Sequence, residues 1–127
     1  MGRLHRFIGT GDSYDWANVS EQFYESAKVR GVSVRWLIGA AEGAPHFAVR
    51  YFEIEPGGST SLDRHKHDHG VVVLRGHGEV LLGEEVAEIS FGDAVYVSPE
   101  EVHQFRCLGD ESLGFLCVIP AHRSAIE

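Results

Sequence analysis

Short apolar runs, separated by turns that contain glycine, make up most of the chain. The runs are rich in Val, Ile, Leu and aromatic residues, and most of the fifteen glycines fall between them. Short strands at regular spacing, bounded by turn residues, are typical of an all-β sandwich or barrel. The pattern predicts a strong turn at Pro56-Gly57-Gly58. It predicts strands over residues 31–38, 46–55, 60–65, 69–74, 79–82, 85–89, 93–97, 103–107 and 113–119.

The first thirty residues follow a different pattern. Val19, Phe23 and Ala27 recur at four-residue spacing, which predicts a helix over residues 15–30, with an irregular arm or a short strand as alternatives. The aromatic residues of this segment suggest that it packs on the rest of the chain or on a partner subunit. We therefore expect two parts, an N-terminal arm or helix over residues 1–30 and a β-barrel over residues 31–127.

Length and charge narrow the class of protein. A chain of 127 residues fits one domain with a genuine core. Its 11 basic and 19 acidic residues give a net charge of −8, which disfavours nucleic acids and anionic membrane surfaces as partners. No apolar run reaches the roughly 20 residues of a membrane helix, and residues 1–10 lack the apolar core of a signal peptide. We expect a cytoplasmic protein.

Two cysteines, Cys107 and Cys117, lie within predicted strands. Free cysteine packs as a small apolar residue, and thiols stay reduced in the cytoplasm. The pattern favours two buried free thiols. A disulfide between neighbouring strands, or a thiol that lines a cavity, is the alternative.

Histidine supplies the candidate chemistry. Three of the eight histidines alternate in the run from Asp63 to His69. Residues two apart in an extended strand project from the same face, so Asp63, His65, His67 and His69 are predicted to line one side. His69 directly precedes an apolar run that must be buried, and a charged imidazolium there is costly without a partner. Neutral imidazole is the commonest protein ligand for transition metals, so the run predicts a metal site, with His103 as the fourth ligand.

These residues resemble the two motifs of the cupin superfamily. Gly58, the histidine run and Gly76 match the first motif, a glycine and paired histidines followed by a third ligand and a second glycine. The stretch from Phe91 to His103 resembles the second motif, although Phe91, Ser98 and Glu100 replace the proline, proline and glycine expected there. The resemblance covers roughly residues 46 to 119. It implies an all-β, single-domain cupin, a jelly-roll barrel also called a double-stranded β-helix.

The first motif can be aligned in two ways. Counted back from Gly76, His69 takes the place of the family's glutamate, His65 is the second histidine, Asp63 occupies the first histidine position and His67 is extra. With a loop shorter by two residues, His65 and His67 form the pair and His69 is the third ligand. We favour His65, His67, His69 and His103 as the ligands, with Asp63 as the alternative.

The resemblance implies one divalent transition metal per chain, drawn from Fe, Ni, Zn, Mn, Cu or Co, and a small-molecule substrate or ligand. A metal-dependent enzyme of the dioxygenase, isomerase or lyase type is expected, and a non-catalytic binding or sensor module is the alternative. Catalytic candidates are Arg50, Glu53 and Tyr96: either Arg50 or the set containing Glu53 faces inward, and Tyr96 offers a phenol. Cupins commonly pair, so we expect a homodimer.

Overall fold

The computed structural model describes residues 1–24 and 26–122, and these form an almost entirely β structure. A single 3-10 turn, Ala40–Glu42, is the only helical element among them. None of the described residues belongs to a helix with the length and apolar character that crossing a membrane requires. The strands are β1 (Glu21–Phe23), β2 (Arg30–Ile38), β3 (Phe47–Ser59), β4 (His69–Arg75), β5 (His77–Leu82), β6 (Glu85–Ser90), β7 (Ala94–Val97), β8 (His103–Leu108) and β9 (Leu113–Pro120).

The strands form one curled sheet in the order β6-β5-β8-β3-β9-β4-β7, with β2 and β1 added beside β3. The long strand β3 closes the curl, because it pairs with β2 and β9 and its last residue, Ser59, pairs with Arg106 of β8. All of these pairings are antiparallel. The all-β barrel expected from the sequence is confirmed.

The core lies inside this curl, and alternation along the strands fills it. In β8, His103, Phe105 and Cys107 are buried, while Gln104 and Arg106 are partly or largely exposed. In an antiparallel sheet with one buried face, such alternation places every second side chain in the core. The same rule brings the largest apolar residues of β3 and β9, Phe52 and Phe115, into stacked contact at 5.4 Å between ring centroids.

The predicted helix over residues 15–30 is wrong. Phe23 belongs to β1 and pairs with Ser33 of β2, and Asn18 has a left-handed backbone that a helix excludes. The spaced residues Phe23 and Ala27 do not form a buried stripe, because both are exposed. Residues 21–23 therefore pair with the edge of β2, and this pairing outweighs the weak helical spacing of the segment.

The arm packs on the outer face of the sheet through its aromatic residues. Tyr14 stacks on Tyr51 at 5.8 Å, and Trp16 lies 5.1 Å from the same ring. Below them, the hydroxyl of Tyr51 donates to Glu53 at 2.9 Å, and Arg75 lies 3.4 Å from the same carboxylate oxygen. A buried polar network thus separates the arm from the barrel core.

Two further expectations need correction. The chain does not reverse at Pro56-Gly57-Gly58, because β3 continues to Ser59 with Gly57 in a left-handed conformation. Residues 60–65 are not a regular strand, since only Asp63 forms a bridge, to His103. The extension of β3 leads directly into residues 60–68, the histidine segment, which lies beside the start of β8.

Candidate metal centre

Three histidines converge at one end of the barrel. His65 comes from the segment between β3 and β4, His69 is the first residue of β4, and His103 is the first residue of β8. Their candidate ligand atoms all lie within 4.8 Å of one another. The bridge between Asp63 and His103, with two backbone hydrogen bonds of 2.9 Å, ties the histidine segment to β8.

The hydrogen bonds of two of these rings orient them for a ligand. Nδ1 of His103 lies 2.9 Å from the backbone oxygen of Glu101, and because a carbonyl only accepts, Nδ1 carries the proton and Nε2 keeps its lone pair. Nδ1 of His69 lies 3.4 Å from the sulfur of Cys117. Nε2 of His69 is buried and has no hydrogen-bond partner among the described residues. Such partners on the far nitrogen are how proteins fix metal-binding histidines.

Burial and the neighbouring rings, His103 foremost, lower the pKa of His69 from its ordinary value to about 3. A buried imidazolium surrounded by other imidazoles is unfavourable because it loses hydration and meets like charge. His69 is therefore neutral at neutral pH. A neutral imidazole whose buried nitrogen has no partner among the described residues, beside two further histidines, fits a divalent transition metal such as Zn, Ni, Cu, Fe, Mn or Co.

His67 and Asp63 also line the cavity but lie in different surroundings. The His67 ring stacks against His65 and His69 at centroid distances of 5.1 and 4.7 Å. The carboxylate of Asp63 instead accepts a hydrogen bond of 2.7 Å from Ser61. The cluster of His65, His69 and His103 is shared by both alignments of the first motif. His67 lies beside this cluster but is not one of the three residues whose ligand atoms converge, so its part as a fourth ligand stays a prediction.

The histidines border a cavity of about 350 Å³. Apart from them its wall is mainly apolar and aromatic, with a few polar groups. The other lining residues are Tyr24, Val29, Val32, Trp36, Arg50, Phe52, Thr60, Ser61, Asp63, Phe105, Phe115, Cys117 and Ile119. A pocket of this size and character suits a small organic molecule.

The structure places Arg50, and not Glu53, in this cavity. Nη2 of Arg50 lies 3.3 Å from the sulfur of Cys117, and its guanidinium lies over Phe52 at 4.7 Å. Glu53 points to the opposite face of β3, where it joins Tyr51 and Arg75 beneath the arm. A role for Glu53 as a base in this cavity therefore has no geometric basis.

Tyr96 also lies outside the cavity. Its side chain is 60% exposed, and its hydroxyl donates to Asp68 at 2.8 Å. It pairs across β7 and β4 with Gly70, and its side chain is directed away from the histidines. A catalytic role for Tyr96 therefore lacks a geometric basis too.

Both cysteines are free and buried, but their surroundings differ. Cys107 belongs to the core, and its thiol donates to the backbone oxygen of Glu111 at 3.2 Å. Cys117 lines the cavity between Arg50 and His69, and burial raises the pKa of its thiol although Arg50 opposes this. The structure thus places one thiol beside the histidine cluster.

Tyr24 and Trp36 are cavity residues that sequence reasoning did not single out. Tyr24 was included in the predicted helix, and because that helix is wrong, its position did not indicate that the side chain lines the cavity. Trp36 follows buried residues of β2 and lies over Arg50, 5.3 Å from the guanidinium carbon. Trp36 pairs with Arg50 across β2 and β3. The alternation of side chains along β2 could have predicted this contact only if the register between the two strands had been known.

Comparison with known proteins supports this fold. Residues 50–119 match the family described as the cupin domain. A 1-methylthio-D-xylulose 5-phosphate methylsulfurylase from Rhodospirillum rubrum is 39% identical over 113 residues, which cover 87% of this chain and 71% of that protein.

Solved structures agree. A cupin-2 domain protein from Rhodospirillum rubrum is 37% identical with a TM-score of 0.83, covering 93% of this chain and 80% of that one. The polyketide cyclase RemF from Streptomyces resistomycificus is 27% identical with a TM-score of 0.80, covering 97% of this chain and 81% of that one. The chain belongs to the cupin-domain family.

Proposed function

We propose that this protein is a metal-dependent enzyme that acts on a small organic substrate in the barrel cavity. His65, His69 and His103 would hold one divalent transition metal, with His67 as a fourth ligand. The observation that carries the proposal is the convergence of the three ligand atoms within 4.8 Å at the wall of a cavity of about 350 Å³. A bound divalent metal supplies Lewis-acid chemistry, which polarises a carbonyl or hydroxyl oxygen.

The residues in and around the cluster would have different roles in the reaction. His69 stays neutral because it is buried among other imidazoles, so its lone pair is available at neutral pH. The stacked rings of Phe52, Phe105 and Phe115 keep water from one side of the cavity. The thiol of Cys117 lies 3.4 Å from Nδ1 of His69 and is a group that can exchange a proton beside the cluster.

Similar proteins support an enzyme over a binding module. Two of them are named as enzymes, the methylsulfurylase and the polyketide cyclase. Neither name describes an oxygenase, so we favour isomerase or lyase chemistry at a carbonyl-bearing substrate over dioxygenase chemistry. The methylsulfurylase also suggests a first substrate to test, 1-methylthio-D-xylulose 5-phosphate.

Metal content tests the site. Protein purified without a His-tag is expected to hold about one transition metal per chain, which elemental mass spectrometry measures and identifies. His103→Ala should lose most of it, because it removes one of the three ligand atoms that converge within 4.8 Å. His77→Ala is the matched control, since His77 is half exposed and pairs with Glu88 away from the cavity. Full metal content in the His103 variant would overturn the assignment.

Activity tests the reaction class. Metal-loaded protein is incubated with 1-methylthio-D-xylulose 5-phosphate and, separately, with small diketones, thiols and phenols, while NMR follows the substrate and an electrode follows oxygen. Substrate loss without oxygen uptake supports a lyase or isomerase. Oxygen uptake that depends on substrate would establish a dioxygenase instead, and no turnover of any compound would favour the binding module.

We also propose that the protein is a cytoplasmic homodimer. Two free cysteines suit a reducing compartment such as the cytoplasm. Val72, Tyr96 and Val118 are exposed around Gly70 on the outward face of the sheet, which supports a homodimer formed by packing of sheets. Sedimentation velocity at several protein concentrations measures the assembly, and a monomer throughout would exclude the dimer.

A further inference from the structure

Arg50 is a cation held in the cavity wall without a carboxylate partner among the described residues. Its guanidinium lies between two aromatic rings, 4.7 Å from the centre of Phe52 and 5.3 Å from that of Trp36. Nη2 contacts the sulfur of Cys117, and Nε is buried with no hydrogen-bond partner. Within residues 1–24 and 26–122, no acidic side chain forms an ion pair with it. Burying a cation without a counter-charge is costly, and an arriving anion would relieve that cost.

Cys117 is only a weak partner for the guanidinium. Its sulfur lies 3.3 Å from Nη2 of Arg50, and a thiol is a weak hydrogen-bond acceptor. The positive charge in the cavity wall remains available.

Tyr24 brings a second donor to the same place. It follows β1 directly, and its backbone N–H donates to the oxygen of Val32 at 3.0 Å, which fixes the residue against β2. Its ring stacks on Phe52 at 6.1 Å with an angle of 6° between the planes. The hydroxyl lies within interaction range of Arg50, and 42% of the residue is exposed at the opening of the cavity. A phenol in this position can donate to an entering molecule.

We infer that Tyr24 and Arg50 form a subsite that binds the anionic group, a carboxylate or a phosphate, of the substrate. Arginine presents several N–H donors in a planar fork that fits such oxyanions, and the tyrosine hydroxyl adds one more donor. The inference rests on the proposed function, in that the substrate's reacting end lies at the histidine cluster.

A single side chain, Cys117, separates the two parts of the proposed site. The sulfur of Cys117 lies 3.3 Å from Nη2 of Arg50 and 3.4 Å from Nδ1 of His69. One atom thus separates the guanidinium from a histidine of the cluster. A compact molecule can reach both, so the substrate class is a small organic anion with a carbonyl or hydroxyl near its charged group.

Net charge makes the subsite selective. The chain carries a net charge of −8, so its surface repels anions at long range. Anion binding therefore requires a local cation with well-placed donors, which the described cavity wall offers at Arg50. General attraction to the surface cannot mimic the predicted effect.

Titration with simple anions tests the subsite apart from any reaction. Acetate and inorganic phosphate are titrated separately into metal-loaded protein and into protein stripped of metal by a chelator. Tryptophan fluorescence reports binding because Trp36 lies against Arg50. Saturable binding of at least one anion is expected, with an affinity about tenfold weaker in Tyr24→Phe and lost in Arg50→Gln, as charged hydrogen bonds of this kind predict.

Matched variants exclude indirect effects. Tyr96→Phe removes an exposed hydroxyl outside the cavity, and Arg106→Gln removes an exposed guanidinium that pairs with Glu79, so both should bind anions like the wild type. Should Arg50→Gln fail to fold, Arg50→Lys and Tyr24→Phe test the subsite with the charge kept. The stronger of the two anions identifies the group as carboxylate or phosphate.

The outcomes separate this inference from the metal proposal. Anion binding by metal-free protein that depends on Tyr24 and Arg50 supports the subsite even if purified protein holds no metal. Binding unchanged by either substitution, or no saturable binding of either anion to the wild type, overturns it. Loss in Arg50→Gln with none in Tyr24→Phe overturns the part assigned to Tyr24.

Discussion

Gly114 shows how one residue type can be required by packing alone. A Cβ atom at this position in β9 would overlap the hydroxyl of Tyr51 and Cγ of Arg75. The Tyr51 hydroxyl is also the donor to Glu53 in the buried network beneath the arm. Any side chain at position 114 would displace this network.

Gly114→Ala is therefore expected to lower the free energy of unfolding by about 1–3 kcal/mol, the usual cost of overpacking a buried site. Urea unfolding followed by circular dichroism measures this. Gly70→Ala is the matched control, because Gly70 also lies in a central strand and a Cβ there meets nothing within 4 Å. Equal effects of the two substitutions would contradict the packing argument.

At the same scale, the sequence predicted that His65, His69 and His103 lie together, but it predicted few of the other cavity residues. Alternation from residue 63 to 69 placed His65 and His69 on one side, and this holds although the segment is not a regular strand. The choice between Arg50 and Glu53 could not be made, since both faces of β3 are covered, one by the core and one by the arm. Periodicity distinguishes buried from exposed faces but not two buried ones.

Among the elements, the strands from β2 onwards were predicted to within a few residues, because glycine-rich turns bound most of them. The N-terminal arm was not, since its structure depends on contacts distant in sequence. Phe23 pairs with Ser33, and Tyr14 and Trp16 pack on Tyr51. No local pattern encodes those partners.

One polar contact anchors the start of the arm. Nε2 of His5 lies 2.8 Å from Glu42, whose other carboxylate oxygen accepts the N–H of Gly39 at 2.7 Å. Burial alone would raise the pKa of Glu42, but these hydrogen bonds prevail and lower it. A carboxyl whose pKa is lowered on folding stabilises the native state above its ordinary pKa and loses that effect as the pH falls.

Glu42→Gln should therefore lower the free energy of unfolding by about 1 kcal/mol at pH 7, since it removes one charged hydrogen bond. The difference from wild type should shrink as the pH falls below the ordinary Glu42 value of 4.5. Urea unfolding at pH 7 and at lower pH measures both effects. Glu84→Gln, at an exposed turn, controls for the loss of one negative charge. A difference independent of pH would exclude the linkage.

For the whole molecule, the proposed metal site would couple metal binding to folding. A ligand that binds only the native state stabilises it by mass action, by about 2.7 kcal/mol at a concentration one hundred times its Kd. Unfolding separates His103 from His65 and His69, which lie only four residues apart, so the unfolded chain keeps only part of the site. Removing metal with a chelator is expected to lower Tm by several degrees in calorimetry.

His103→Ala provides the control for that experiment, because a chain that has already lost most of its metal has little more to lose. Its Tm should change much less on addition of chelator than that of the wild type. A chelator effect of equal size in both proteins would show that the stabilising metal lies elsewhere.

The cavity wall is built from two parts of the chain, of which only one matches the family. The histidine cluster lies within residues 50–119, which match the cupin domain, whereas Tyr24 and Trp36 precede that region. Grafting residues 1–38 from a relative is therefore expected to change which molecules the cavity accepts without altering Arg50 or the histidine cluster. Such a division would let one histidine-bearing scaffold acquire new specificities largely through its leading segment.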